Sequence, residues 1–137
     1  MLGNHYYGID IVQTERVREA LLKECLPVTV ETKDSMTLSK DSFPGVVFDM
    51  VFQDGNHDKE HVLYEFETMW PQLKGQGFGY WVAHDAEGPA WEGCNLIKKY
   101  LKDNNTEHEI VTLGGPYGLM IVRKMAGFDY LSNPWKN

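Results

Sequence analysis

Several features are scarce in this chain. Cysteine occurs twice, at Cys25 and Cys94. That is too little for a disulfide framework, and no Cys/His spacing of a zinc site is present. Each cysteine falls on the apolar side of an expected helix, beside Leu21 and Leu22 or beside Trp91 and Ile97, so both read as small buried hydrophobes. No apolar run approaches the roughly 20 residues of a membrane-spanning helix. The N-terminal MLGNHYYGIDI lacks the basic and apolar regions of a secretion signal. The expectation is a cytoplasmic protein without a membrane partner. Positive charge is also sparse. Thirteen Lys and Arg against twenty Asp and Glu leave a net charge of −7, and no basic run exceeds Lys98-Lys99. Phosphate binding needs clustered cations, so the charge argues against nucleic acid as a partner. The acid is dispersed and serves solubility.

A chain of 137 residues is one domain of common size, with enough apolar residues to bury a core unaided. An ordered core is expected over 6–124, followed by a polar, aromatic-tipped tail over 125–137. The chain is organised around 46–85. Residues 46–53 are apolar on both faces, as in a central strand covered on both sides, and end at Asp54. Gly55, His57 and an expected helix cap, Asp58, follow. Val62, Leu63, Phe66, Met69, Trp70 and Leu73 then keep helical spacing. Lys74-Gly75-Gln76-Gly77 turns the chain, and 78–83 form the next strand, ending in His84-Asp85. Strand ends of this kind are where open α/β sheets bind ligands.

The rest supports this unit. Residues 6–11 are β-prone and reach Asp10. Thr14 can cap a helix whose face is Val17, Leu21, Leu22 and Cys25. Residues 28–33 alternate as a strand and end at Asp34-Ser35. Between 36 and 45 a short helical turn at most is expected. Pro89 opens a helix with Trp91, Cys94, Ile97 and Leu101 facing inward and Asp103-Asn104-Asn105 closing it. Residues 109–113 and 119–123 are strands joined too tightly to be anything but antiparallel neighbours. The order β-α-β-β-α-β-α-β-β predicts an α/β fold, a mostly parallel sheet with a C-terminal antiparallel hairpin.

These elements, in this order, resemble the class I S-adenosylmethionine-dependent methyltransferases and their Rossmann-like sheet. Within that class, FDMVFQDGNHDKEHVLYEFETMWPQLKGQGFGYWVAHD is similar to the small-molecule O-methyltransferases of the macrocin and cephalosporin-hydroxylase type. Those carry a pattern fDlvfiDGdHsye…Dl…w…pllkpGG…hD. The likeness continues through Gly88-Pro89 and YGLMIVRK, and upstream through YYGIDI and VETKDS. It implies S-adenosylmethionine as cofactor, with Asp10 on the ribose hydroxyls and Asp34 and Ser35 at the adenine. It implies a divalent cation, Mg²⁺, on Asp54 and Asp85, with His57 as general base for a small-molecule acceptor. A hard cation lowers the acceptor hydroxyl's pKa, and an imidazole takes its proton before the hydroxyl attacks the sulfonium methyl.

The chain departs from that pattern at three places. The usual kpGG reads Lys74-Gly75-Gln76-Gly77, and the second acid of DGDH is Asn56. The family's first strand and its glycine-rich loop are not seen, since only residues 1–5 precede YYGIDI. A sheet lacking its first strand is therefore expected. Direct pairing of the flanking strands, a homodimer or a strand-donating partner would close it, because unpaired central edges are costly. Plainer readings stand beside the functional ones. His84 reads as a packed histidine or one that supports the ligands from behind, rather than as a ligand, Trp70 and Trp91 read as core, and His5, His61 and His108 are given no role. The domain can also be a catalytically inactive remnant acting as a binding or oligomerising module. Gly55-Asn56-His57-Asp58 matches a metallophosphoesterase signature, but its partner motifs are missing.

Overall fold

Apolar stretches alternate with amphipathic ones along this chain, and the strands and helices follow that alternation. The structure is a computed structural model and describes residues 5–12, 14–23 and 27–127. The elements are β1 (Tyr6–Asp10), α1 (Thr14–Lys23), β2 (Val28–Thr32), β3 (Met50–Gln53), α2 (Lys59–Met69), β4 (Gly79–His84), α3 (Trp91–Asp103), β5 (His108–Leu113) and β6 (Leu119–Lys124). The expected places of Cys25 and of the Thr14, Val17 and Leu21 side chains, and most of the expected tail, lie outside the described residues. The chain divides into two compact units, Met1–Leu38 and Ser39–Asn137. Among the described residues no helix is long and apolar enough to cross a membrane.

In the first unit β1 and β2 pair in parallel, from Tyr6 opposite Val28 to Asp10 opposite Thr32. Parallel neighbours need a crossover, and α1 supplies it. Backbone bonds from Tyr6 N–H to Pro27 O and from Lys33 N–H to Asp10 O, both 2.9 Å, extend the ladder at its two ends. The expected helical turn is a 3₁₀ turn over Ser35–Thr37. Leu22, expected on the inward face of α1, is exposed.

In the second unit the strand order is β3-β4-β6-β5. β3 and β4 are parallel, and β6 runs antiparallel to both β4 and β5. The hairpin is therefore formed as expected, with its last strand inserted beside β4. Trp81 and Ala83 of β4 sit level with Val122 and Met120 of β6 and share a face with them. α2 meets this face, where Phe66 lies edge-on to Trp81 at 5.2 Å and stacked with Trp70 at 4.9 Å. Each large side chain fully buried here contributes about 1.5–3 kcal/mol. α2 and α3 approach closely at Gly93, where a Cβ would lie 2.5 Å from Val62 Cβ. Lys124 reaches from β6 to the end of α2, donating to the carbonyls of Trp70 (2.8 Å) and Leu73 (2.9 Å).

Further expectations are corrected. The strand expected over 46–53 spans only Met50–Gln53, with a single bridge from Phe48 to Leu73 ahead of it. It is not covered on both sides, since Met50 is 57% and Phe52 54% exposed; α2 and α3 cover the other face of the sheet. Trp91 is 55% exposed rather than core. At about 100° per residue it lies about 100° off the buried stripe of Ala90, Cys94, Ile97 and Leu101. Asp58 precedes α2 but makes no side-chain cap bond. Instead Asn56 Oδ1 accepts the Asp58 N–H at 2.9 Å. Met125, expected in the tail, is 1% exposed, and its N–H donates to Glu107 O at 2.9 Å.

Each unit carries its own sheet, two strands in the first and four in the second. Among the described residues β3 has β4 as its only ladder partner, and β1 has only β2.

Candidate functional site

Parallel β3 and β4 end level with each other, Gln53 opposite Ala83. The next residues, Asp54 and His84-Asp85, therefore emerge together at the carboxyl edge. His84 Nδ1 lies 3.1 Å from Asp54 Oδ1 and 3.0 Å from Asp85 Oδ1. Donor atoms of Asp54, His84 and Asp85 all fall within 4.8 Å of one another. His57, in the loop entering α2, places Nε2 2.9 Å from the other Asp85 oxygen, Oδ2. Both ring nitrogens are shielded from solvent, yet neither is aligned on a carboxylate oxygen as a hydrogen bond requires. These are close approaches of imidazole nitrogens to carboxylates without the alignment of a hydrogen bond.

The turn after β4 is built to hold Asp85. Its backbone is left-handed, with φ of 56°, a conformation that costs a non-glycine residue of order 1 kcal/mol. Its carbonyl accepts the N–H groups of Gly88 (2.9 Å) and Ala90 (3.1 Å). Glu87 N–H bonds Tyr117 O at 2.7 Å, which ties the turn to the β5–β6 connection. On the other side, the buried Glu65 of α2 stands behind Gly55, with His61 Nε2 3.4 Å from its Oε1. An open cleft of about 440 Å³ adjoins the cluster. His57, Gly88, Pro89 and Trp91 line it with four charged residues, Asp58, Lys59, Glu60 and Glu92. Lys59 and Glu92 form an ion pair of 3.3 Å between the first turns of α2 and α3.

The donor set fits a divalent cation. In an octahedral shell with bonds of about 2.1 Å, neighbouring ligand atoms stand about 3.0 Å apart. The Asp54–His84 and His84–Asp85 separations match that spacing.

The first unit carries the other expected residues. Asp10 ends β1, and its Oδ1 accepts the Val12 N–H at 2.9 Å. Asp34 follows β2, and its Oδ1 accepts the Met36 N–H at 2.9 Å while capping the 3₁₀ turn that Ser35 begins. All three stand at the carboxyl ends of adjacent parallel strands, each carboxylate already shaping its own turn.

The sequence model of the methyltransferase-domain family matches residues 2–86, well over half of the chain. The chain belongs to the methyltransferase domain family. Solved structures agree with this fold at low identity. A Corynebacterium glutamicum protein is 18% identical with a TM-score of 0.64, over 87% of this chain and 60% of that one. The O-methyltransferase NovP is 15% identical with a TM-score of 0.64, over 83% and 46%. The methyltransferase PaMTH1 of Podospora anserina, solved with S-adenosylhomocysteine bound, is 15% identical with a TM-score of 0.56, over 88% and 71%. This methyltransferase domain thus spans between about half and two-thirds of the first two proteins' length. A search of curated proteins finds no match.

Of the residues expected from sequence, the structure brings Asp54, His57 and Asp85 of the second unit together. Asp10, Asp34 and Ser35 gather at one end of the first. From the sequence His84 reads as packed or as supporting the ligands from behind, whereas its Nδ1 lies between the two acids. The signal for it was its place, as the last residue of a strand parallel to one ending in an acid. Trp91 was missed as a cleft residue because its aromatic character was read as core.

Proposed function

We propose that this methyltransferase domain is an S-adenosylmethionine-dependent, divalent-cation-assisted O-methyltransferase of a small hydroxylated molecule. The observation that carries the reading is the Asp54, His84 and Asp85 cluster at two parallel strand ends, with His57 beside it. A cation bound there would lower the pKa of an acceptor hydroxyl, and S-adenosylmethionine would supply the methyl group. The domain's own residues do the rest. Asp85 Oδ2, 2.9 Å from His57 Nε2, favours the tautomer with its proton on Nε2. His57 Nδ1 then carries the lone pair that accepts the hydroxyl proton. A cleft of about 440 Å³ beside His57 suits a small molecule, for which pockets of roughly 300–1,000 Å³ are usual. Trp91 offers that acceptor a flat apolar wall. Asp10 accepts from the ribose hydroxyls, and Asp34 and Ser35 meet the adenine edge.

Calorimetry with S-adenosylhomocysteine, with and without a divalent cation, tests this reading. Binding is expected. Loss of charged hydrogen bonds to a ribose, at about 1.5–3 kcal/mol, should weaken it roughly 10- to 100-fold in Asp10→Ala. Asp54→Ala should remove the cation-dependent part and leave the rest. No heat under either condition would sink the reading. If the folded protein were then dimeric by light scattering, an inactive oligomerising module would replace it, which the single-sided pairing of β3 and the exposed Met50 and Phe52 support.

A further inference from the structure

The cluster at the ends of β3 and β4 is not all oxygen. Its middle member is an imidazole. His84 Nδ1 stands 3.1 Å from Asp54 Oδ1 and 3.0 Å from Asp85 Oδ1, is shielded from solvent, and makes no hydrogen bond. An imidazolium serving only to neutralise two acids would direct its N–H along a line to one of them. Here the nitrogen sits between both oxygens and is aligned on neither. The ring is also backed by Phe52, with centroids 6.4 Å apart, so its position is set from the strand as well as from the acids.

We infer that His84 is the third protein ligand of this site, and that the site takes a first-row transition cation of the Mn²⁺ to Co²⁺ class in preference to Mg²⁺. The inference rests on the cation-assisted reading and makes it more specific. Magnesium demands an oxygen shell and keeps its waters. An imidazole donor favours the later first-row ions, whose affinity for mixed nitrogen and oxygen sites rises from Mn²⁺ through Co²⁺. With two carboxylates and one imidazole on one side, the remaining positions are open to water and an acceptor hydroxyl.

The test titrates the purified chain with Mg²⁺, Mn²⁺ and Co²⁺ by calorimetry and examines the Mn²⁺ form by pulsed electron paramagnetic resonance. Co²⁺ and Mn²⁺ should each bind at least about tenfold more tightly than Mg²⁺. The Mn²⁺ spectrum should show coupling to a directly bound nitrogen. His84→Ala should lose that coupling and at least about tenfold in Co²⁺ affinity, while His57→Ala keeps the coupling. Circular dichroism without metal verifies each fold. If His84→Ala does not fold, His84→Asp serves, and should shift the preference towards Mg²⁺. Nitrogen coupling that persists in a folded His84 variant, or Mg²⁺ binding as tight as Co²⁺, would overturn the inference and leave the cation-assisted reading in place. Absence of binding by all three ions would overturn both.

Discussion

Gly93 is where α2 and α3 come closest, so adding one methyl group there has a calculable cost. A Cβ on Gly93 would lie 2.5 Å from Val62 Cβ and 2.7 and 3.0 Å from its two γ-methyls. Carbon contacts are comfortable at about 3.5–4.0 Å, so the helices must part by roughly an ångström. Val62 is fully buried, so it has no room to retreat. Overpacking of this kind costs about 1–3 kcal/mol. Alanine returns about 1 kcal/mol over glycine in a helix interior. Gly93→Ala should therefore lower stability by up to about 2 kcal/mol, although alanine is the better helix former. Val62→Ala alone removes two buried methyls and should cost about 2 kcal/mol. In the double variant the γ-methyl clash is gone while the close Cβ pair remains. It should be about 1 kcal/mol more stable than the sum of the single effects. Urea unfolding of the four proteins, followed by circular dichroism, measures this cycle. A Gly93→Ala protein more stable than the parent, or a double variant additive within about 0.3 kcal/mol, would refute the packing argument. The same crossing sets the cleft, since Lys59 and Glu92 pair across it at 3.3 Å. Gly93→Ala should thus disturb the cleft as well as stability.

Two further outcomes follow from a buried and a half-buried ionisable group. Burial pushes the Cys94 thiol up to about 11, against a smaller lowering by Lys98. At pH 8 only about one molecule in a thousand carries the reactive thiolate, so iodoacetamide should modify Cys94 in urea but not in the native protein. Native labelling at the rate of an exposed cysteine, read by peptide mass mapping, would contradict this. Burial pulls Lys124 below its ordinary 10.5. The unfolded chain then holds that proton more tightly, and stability should rise with pH between the lowered pKa and 10.5. Lys124→Met should flatten that rise. It should also cost about 1–3 kcal/mol by taking the ammonium donor from the Leu73 carbonyl. Urea unfolding of both proteins from pH 8 to 11 measures it, and an unchanged pH slope in the variant would refute it.

Much of the second unit was legible because periodicity is a local signal. The stripe of Val62, Phe66 and Met69 needs only 3.6 residues per turn to be seen, and all three are buried. The tight 114–118 connection forced β5 and β6 into an antiparallel pair before any partner was known. Errors arose where a side chain's character was taken for its direction. Trp91 is aromatic but points off the buried stripe, and Phe52 and Met50 are apolar but lie on a face that α2 and α3 do not cover. Met125 looked like the start of a tail, yet one backbone bond to Glu107 keeps it in the core.

The candidate site divides along the same line. Residue order alone placed acids after strands, and so named Asp54 and Asp85, and Asp10 and Asp34, as strand-end groups. Proximity in space is not written in residue order. The parallel register of β3 on β4 sets Asp54 beside His84, and a left-handed turn swings Asp85 back towards both. Nothing in the residue types signals φ of 56° at an aspartate; a tertiary arrangement must over-determine it, here through the carbonyl bonds of the 85–90 turn and its tie to Tyr117. The sequence by itself determined which groups stand at the strand ends and which family the chain joins. Only the tertiary structure decided that His84 belongs with the acids and that Trp91 belongs to the cleft, because register and helix rotation act between segments far apart in the chain.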